Sequence, residues 1–139
     1  MYSAKKINAV GPAMTGVVMM LAALTTHLQV LAVTSSSNVI QLTTMTFSSV
    51  VRGNELVMVQ LYAPWCPHCL ELAPQYELAA ARMDTGGAIF AKVDCTAEDA
   101  LCDSQGVLSY PTLKVYRNGE SEVYQGHLKA DAMIAFLQS

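Results

Sequence analysis

The 139-residue chain is 53% hydrophobic and 14% charged, with a formal charge of -3 at pH 7 and four cysteines. That length holds one domain after any leader, the apolar content excludes a disordered chain, and the acidic balance offers a nucleic acid no basic stripe. At the N-terminus, Lys5 and Lys6 precede an apolar run from Gly16 to Leu24 and then small residues, so residues 1–32 have the form of a signal peptide cleaved after Ala32. The alternative is a membrane anchor. Thr25, Thr26, His27 and Gln29 interrupt the run short of the ~18 residues a spanning helix needs, so no span is expected once the leader is gone. A secretory route places the cysteines where disulfides form and persist.

Residues 33–37 are Ser/Thr-rich and read as a linker, which puts the folded domain at residues 38–139. Val39 to Leu42 reads as a short strand. Phe47, Val50 and Val51 follow at helical spacing until Gly53-Asn54 ends the pattern. Leu56 to Ala63 is almost continuously apolar, as a strand buried on both faces must be, and it runs directly into Cys66. Beyond the cysteines, Leu72, Tyr76, Ala79, Ala80 and Met83 recur at three- and four-residue steps and predict an amphipathic helix kinked by Pro74. Ala88 to Asp94 is the next strand, Ala97 to Gln105 a short helix closed by Gly106, and Thr112 to Arg117 another strand. Asn118-Gly119 predicts a tight hairpin with Glu122 to Tyr124 as the return strand. Lys129 to Gln138 closes the chain as a helix, with Ala132, Ile134, Ala135 and Leu137 available for its buried side. Alternating strands and helices followed by a hairpin imply an α/β fold with a central mixed sheet flanked by helices, a three-layer sandwich.

Cys66-Pro67-His68-Cys69 carries the chemistry. Two cysteines separated by two residues at a helix start can bridge, and the free amides of the first turn favour a thiolate. Cys66, at the tip, is the candidate nucleophile; Cys69, one turn further in, is the candidate resolving thiol that releases a mixed disulfide. His68 can donate a hydrogen bond or positive charge to the Cys66 thiolate, which would stabilise the reduced form and make the disulfide more oxidising. Structural zinc competes for such a spacing, but it needs four ligands and no second pair at that spacing exists; His27 and His127 are isolated. Haem attachment would need His where Leu70 stands. No metal and no prosthetic group is required.

The segment Tyr62-Ala63-Pro64-Trp65-Cys66-Pro67-His68-Cys69, with Leu72-Ala73-Pro74 and Tyr76-Glu77 after it, resembles the active-site segment of protein disulfide isomerase domains. Tyr110-Pro111-Thr112-Leu113-Lys114 and Arg117-Asn118-Gly119 match that family as well, and the resemblance covers essentially the whole chain after the leader. It implies a thioredoxin fold with the cysteine pair where a central strand meets a helix, facing a loop in which Pro111 is cis and the backbone of Tyr110 pairs with an extended substrate. An ordinary trans proline at a strand entrance is the alternative. Trp65 is expected to shield one face of the site, or else to serve as a half-buried hydrophobe. Cys95 and Cys102 look like the extra pair that some endoplasmic-reticulum members carry. A structural bridge is implied, contributing about 2–3 kcal/mol through its short loop, with a second redox centre or free thiols as alternatives.

Four positions depart from the family pattern. Pro67 stands where Gly is usual, and Pro-His between the cysteines is similar to strongly oxidising bacterial periplasmic enzymes of the same fold. Gln60 occupies the buried acidic position used to shuttle protons to the inner cysteine, Leu108 replaces an arginine, and Leu70 replaces a lysine. The resemblance implies an enzyme that oxidises or reshuffles cysteines of unfolded or secreted client proteins, recharged by glutathione or an upstream oxidase. The rival reading, prompted by Gln60 and Leu108, is a non-catalytic module that holds clients on the same surface. Phe136-Leu137-Gln138-Ser139 is no recognised retention signal, so the lumen of the endoplasmic reticulum and export are both open.

Overall fold

The computed structural model describes residues 36–139; the expected leader and the first three residues of the expected linker lie outside the described residues. Nine elements follow in the order strand Val39–Leu42 (β1), helix Thr44–Gly53 (α1), strand Leu56–Tyr62 (β2), helix Pro67–Met83 (α2), strand Ile89–Asp94 (β3), helix Asp99–Ser104 (α3), strands Thr112–Arg117 (β4) and Glu120–Val123 (β5), and helix Ala130–Leu137 (α4). The strands form one sheet in the order β1-β3-β2-β4-β5, parallel between β1, β3 and β2 and antiparallel from β2 through β4 to β5. Its middle position explains the apolar sequence of β2, whose five interior residues are all buried.

The two-residue period of β2 sorts its side chains between two cores. Val57, Val59 and Leu61 pack with Phe47 and Val51 of α1 and with Leu101 and Cys102 of α3. Met58, on the opposite face, packs with Leu72, Tyr76, Ala79, Ala80 and Met83 of α2 and with Ala130, Met133 and Leu137 of α4. Gln60 shares the Met58 face and is the one buried polar side chain among the described residues, 4% exposed. The predicted α2 stripe is thus buried at all five positions. Tyr76 fixes the helix to the sheet, its hydroxyl 2.8 Å from the Met58 carbonyl and 2.9 Å from that of Ala91.

Three boundaries move for identifiable reasons. Helix α3 begins at Asp99 rather than Ala97, because the Asp94 carbonyl accepts the amides of Ala97 and Glu98 and holds them in a turn. Strand β5 begins at Glu120, since Asn118 and Gly119 both adopt positive φ (52° and 88°) and a two-residue turn of that kind pairs Arg117 directly with Glu120. On α4 the buried residues are Ala130, Met133 and Leu137; Ala135 is exposed and Ala132 and Ile134 are half-buried. That stripe seats the long Met133 side chain against α2, and it corrects the expected one. Ser37, assigned to the linker, is tied down: its hydroxyl lies 2.8 and 2.9 Å from the two carboxylate oxygens of Glu77 on α2.

Candidate active site

The chain leaves β2 at Tyr62, turns through Ala63-Pro64-Trp65, and starts α2 with Cys66 as N-cap and Pro67 in the first turn. Proline suits that position because a first-turn N–H has no intrahelical acceptor, and its fixed φ is already helical. Two backbone bonds set the corner: the Cys66 amide donates to Ala63 O at 3.2 Å, and the Leu70 amide donates to Cys66 O at 3.1 Å. Both thiols are free and almost covered, Cys66 at 5% exposure and Cys69 at 4%, and they share a small cluster with Ala63, Tyr62 and Tyr110.

Their environments push them apart. The Cys69 thiol hydrogen-bonds the Cys66 sulfur and lowers the Cys66 pKa below the ordinary thiol value, against an opposing contribution from burial; the backbone of Cys69 and His68 adds hydrogen bonds in the same direction. Burial raises the Cys69 pKa to about 11, and the hydrogen bond and charge interaction with Cys66 push the same way. At neutral pH the outer sulfur therefore carries the larger thiolate fraction.

Across from the helix start, the Tyr110–Pro111 bond is cis, and the Tyr110 carbonyl accepts from the Cys66 Sγ at 3.6 Å. Trp65 is 69% exposed and meets Tyr110 edge-on with ring centroids 6.2 Å apart, so it rims the site instead of lying half-buried. The His68 imidazole is placed differently from expectation. It faces Glu71, with Nδ1 3.6 Å from the carboxylate on an open surface, and the backbone of His68 is what reaches Cys66. Leu108 is 97% exposed in the loop before Tyr110. Cys95 and Cys102 form a disulfide across the β3–α3 turn, and the Cys95 amide donates to Tyr62 O at 2.8 Å, joining that bridge to the strand that carries the site.

Two concavities flank the thiols. One cleft, beside the Tyr110–Pro111 loop, is lined by His68, Glu71, Leu72, His127, Leu128 and Lys129. A smaller cavity of about 100 Å³ lies behind the inner thiol, where Cys69, Gln60, Tyr62, Leu70 and Lys92 meet. Lys92 was not singled out from the sequence, although it is the one charged residue inside the otherwise apolar stretch Ile89 to Val93. Among the described residues no group of three or more His, Cys, Asp or Glu side chains is placed to hold a metal ion.

The thioredoxin family pattern matches residues 38–139. The chain belongs to the thioredoxin family. Within it, the relatives are protein disulfide isomerase domains. Protein disulfide-isomerase from Humicola insolens is 44% identical over 107 residues, which are 76% of this chain and 21% of that protein. Among solved structures, the Trx4 domain of ERdj5 is 31% identical with a TM-score of 0.68, the match covering 74% of this chain and 95% of that one. The first thioredoxin domain of mouse protein disulfide-isomerase A4 is 30% identical with a TM-score of 0.68, covering 74% of this chain and 75% of that one. The chain spans about a fifth of the length of the curated relatives it matches.

Proposed function

We propose that this domain is a thiol–disulfide oxidoreductase of the protein disulfide isomerase type, acting on cysteines of folding or secreted proteins. The observation that carries the proposal is the asymmetry of two adjacent thiols at a helix start: Cys66 favours the thiolate and faces the Tyr110 carbonyl, while Cys69 is held protonated behind it. In the reducing direction the Cys66 thiolate attacks one sulfur of a client disulfide. The client S–S bond breaks, a mixed disulfide forms, and the departing client sulfur leaves as a thiolate that takes up a proton. Cys69 then loses its proton and attacks the Cys66 sulfur, closing the Cys66–Cys69 disulfide and releasing the second client thiol. Two electrons pass from the domain to the client, and the oxidising direction is the reverse. Isomerisation uses the first step and its reversal at a different client cysteine.

Substrate placement follows from the loop. The backbone at Tyr110, next to Cys66, is positioned to pair with an extended client segment, and exposed Trp65 and Leu108 give that segment an apolar rim. Gln60 cannot accept a proton, so resolution by Cys69 is slow and mixed disulfides are long-lived. Among the described residues no helix is long and apolar enough to cross a membrane. The secretory pathway, in the endoplasmic reticulum or on export, is the compartment this chemistry suits, with glutathione or an upstream oxidase as the recharging partner.

The deciding experiment equilibrates the domain with glutathione redox buffers and reads the Cys66–Cys69 couple by alkylation. A reversible couple near or above about -180 mV identifies an oxidase or isomerase, and one near about -270 mV a reductant. No reversible couple at all overturns the proposal.

A further inference from the structure

The cleft beside the Tyr110–Pro111 loop holds charged groups that the exchange chemistry does not use. They stand on two rims, His68 and Glu71 on α2, and His127 and Lys129 on the loop that leads into α4. That loop is held in place. The Tyr124 hydroxyl donates to His127 O at 2.8 Å, the Lys129 amide donates to the same carbonyl at 2.8 Å, and the Ala130 amide donates to Gln75 Oε1 of α2 at 3.1 Å. Only glycine fits at position 126, because a Cβ there would lie 2.4 Å from the Tyr124 hydroxyl oxygen. The charges on the two rims are not in balance. Glu71 already faces His68 at 3.6 Å, and Asp131, close to Lys129 in the chain, is paired with Arg82. Among the described residues the Lys129 ammonium has no carboxylate partner, and His127 beside it adds an imidazole N–H donor. The cleft, about 370 Å³, thus offers an incoming chain a cation without a partner and an anion that has one.

We propose that this cleft is an acid-reading client subsite: Lys129, assisted by His127, receives a carboxylate on the client residue that flanks the reacting cysteine on the cleft side. The inference rests on the redox reading above and adds to it a choice among clients. Charge complementarity names the occupant, and the fold makes the choice one-sided. Helices α2 and α4 pack on the Met58 face of the sheet, while α3 packs on the other face and the loop after it carries Leu108, which does not line the cleft. A client segment extended along the Tyr110 backbone therefore has the cleft on one flank of its cysteine and exposed Leu108 on the other. A glutamate on the cleft flank meets the unpartnered ammonium, and a lysine there meets a like charge. His127, Leu128 and Lys129 are all exposed, so the effect is that of a solvated pair, a few-fold for each unit of charge. Lys129 and His127 act on which client is taken, not on the sulfur chemistry.

The test uses Cys69→Ser, in which mixed disulfides at Cys66 are not resolved, and acetylated, amidated pentapeptides whose central cysteine is carried as its methyl disulfide. Two peptides that differ at one flanking residue, Glu, Gln or Lys, compete at equal concentration for limiting protein. Intact-mass measurement gives the ratio of the two mixed disulfides, divided by the ratio that 2-mercaptoethanol gives with the same pair. On one flank glutamate is expected to be favoured about threefold over glutamine and about tenfold over lysine, and on the other flank the same exchange should stay within about twofold. The preference should shrink in about 0.5 M NaCl. Adding Lys129→Glu is expected to turn it toward lysine, whereas Arg52→Glu, the same charge change on α1 across the sheet, should leave it in place. Should Lys129→Glu fail to fold, Lys129→Gln is expected to bring the Glu-to-Gln ratio close to one. Ratios near one on both flanks overturn the proposal, as does a preference that survives undiminished in the Lys129 variant or that Arg52→Glu removes equally. Preference for the methyl disulfide of glutathione without preference for the glutamate peptides assigns the cleft to a small thiol and overturns the client subsite. Failure of the wider redox reading has a different signature, namely no mixed disulfide at Cys66 with any peptide.

Discussion

The molecule contains two cysteine pairs that burial does not distinguish. Cys66 and Cys69 are 5% and 4% exposed, Cys95 and Cys102 are 3% and 2%, yet the first pair is free and the second is bridged. What differs is the backbone around them. The first pair begins a 17-residue helix, with amides aimed at the outer sulfur and a cavity behind the inner one. The second closes a seven-residue separation inside the core formed by Leu42, Val93 and Leu101, where a bound client could not reach it. Reactivity is decided by what surrounds the sulfur, and on the proposed function the same bond is a working part in one place and a fastener in the other.

Substitution can break this contrast, and the largest effect is expected at Cys66. Cys66→Ser should reduce disulfide exchange by at least about a thousandfold in a peptide-disulfide assay, since the remaining thiols offer no accessible thiolate. Cys69→Ser should instead accumulate client mixed disulfides, visible on a non-reducing gel. The next effect concerns pH. Because the thiolate is the reacting species, a lowered pKa raises reactivity at a given pH and a raised one diminishes it. Alkylation of Cys66 should therefore reach its midpoint below that of an ordinary thiol. In Cys66→Ser, Cys69 should still reach its midpoint above that of an ordinary thiol, because its burial is retained while the upward push of the Cys66 sulfur is gone. Equal midpoints for the two would remove the asymmetry on which the mechanism stands.

A smaller effect is expected from the other pair. Replacing Cys95 and Cys102 together by Ala should cost about 2–3 kcal/mol in urea unfolding and leave the rate of Cys66 alkylation within about twofold. A large change in that rate would mean that the bridge, through the Cys95 amide on Tyr62 O, acts on the active corner as well. Smallest of all, Trp65→Ala should change stability by no more than about 0.5 kcal/mol, as expected of an exposed side chain, while weakening client binding at the site rim.

Much of this was legible in the sequence because local rules and tertiary packing agree. The almost continuously apolar run Leu56 to Ala63 is read correctly as the central strand, and the stripe from Leu72 to Met83 as a buried helix face, because each has a pattern that one packing arrangement satisfies. Asn118-Gly119 fixes a hairpin through φ alone. The misread parts depend on partners distant in sequence. The buried side of α4 is chosen by where Met133 meets α2, and two alanines on the same helix carry no comparable signal. The direction of the His68 ring depends on Glu71 one turn ahead, which competes with the thiolate for it. Lys92 looked like an unremarked strand residue until the register set it against Gln60. The Glu98 carboxylate likewise accepts the Thr44 amide at 2.9 Å, 54 residues away, capping α1 in a way no local motif announces.

The outermost strand has a consequence of its own. All four residues of β5 are exposed, and Glu120 and Glu122 give that sheet edge negative charge. On the proposed function the domain meets partly folded chains, which could add a strand at the loop at Tyr110 or at an open sheet edge, β1 or β5. Only the first leads to chemistry; the second leads to aggregation. At β5 a four-residue border with two glutamates is too short and too strongly charged to template a β-prone guest, so that edge is guarded against the polypeptides the active corner is proposed to receive.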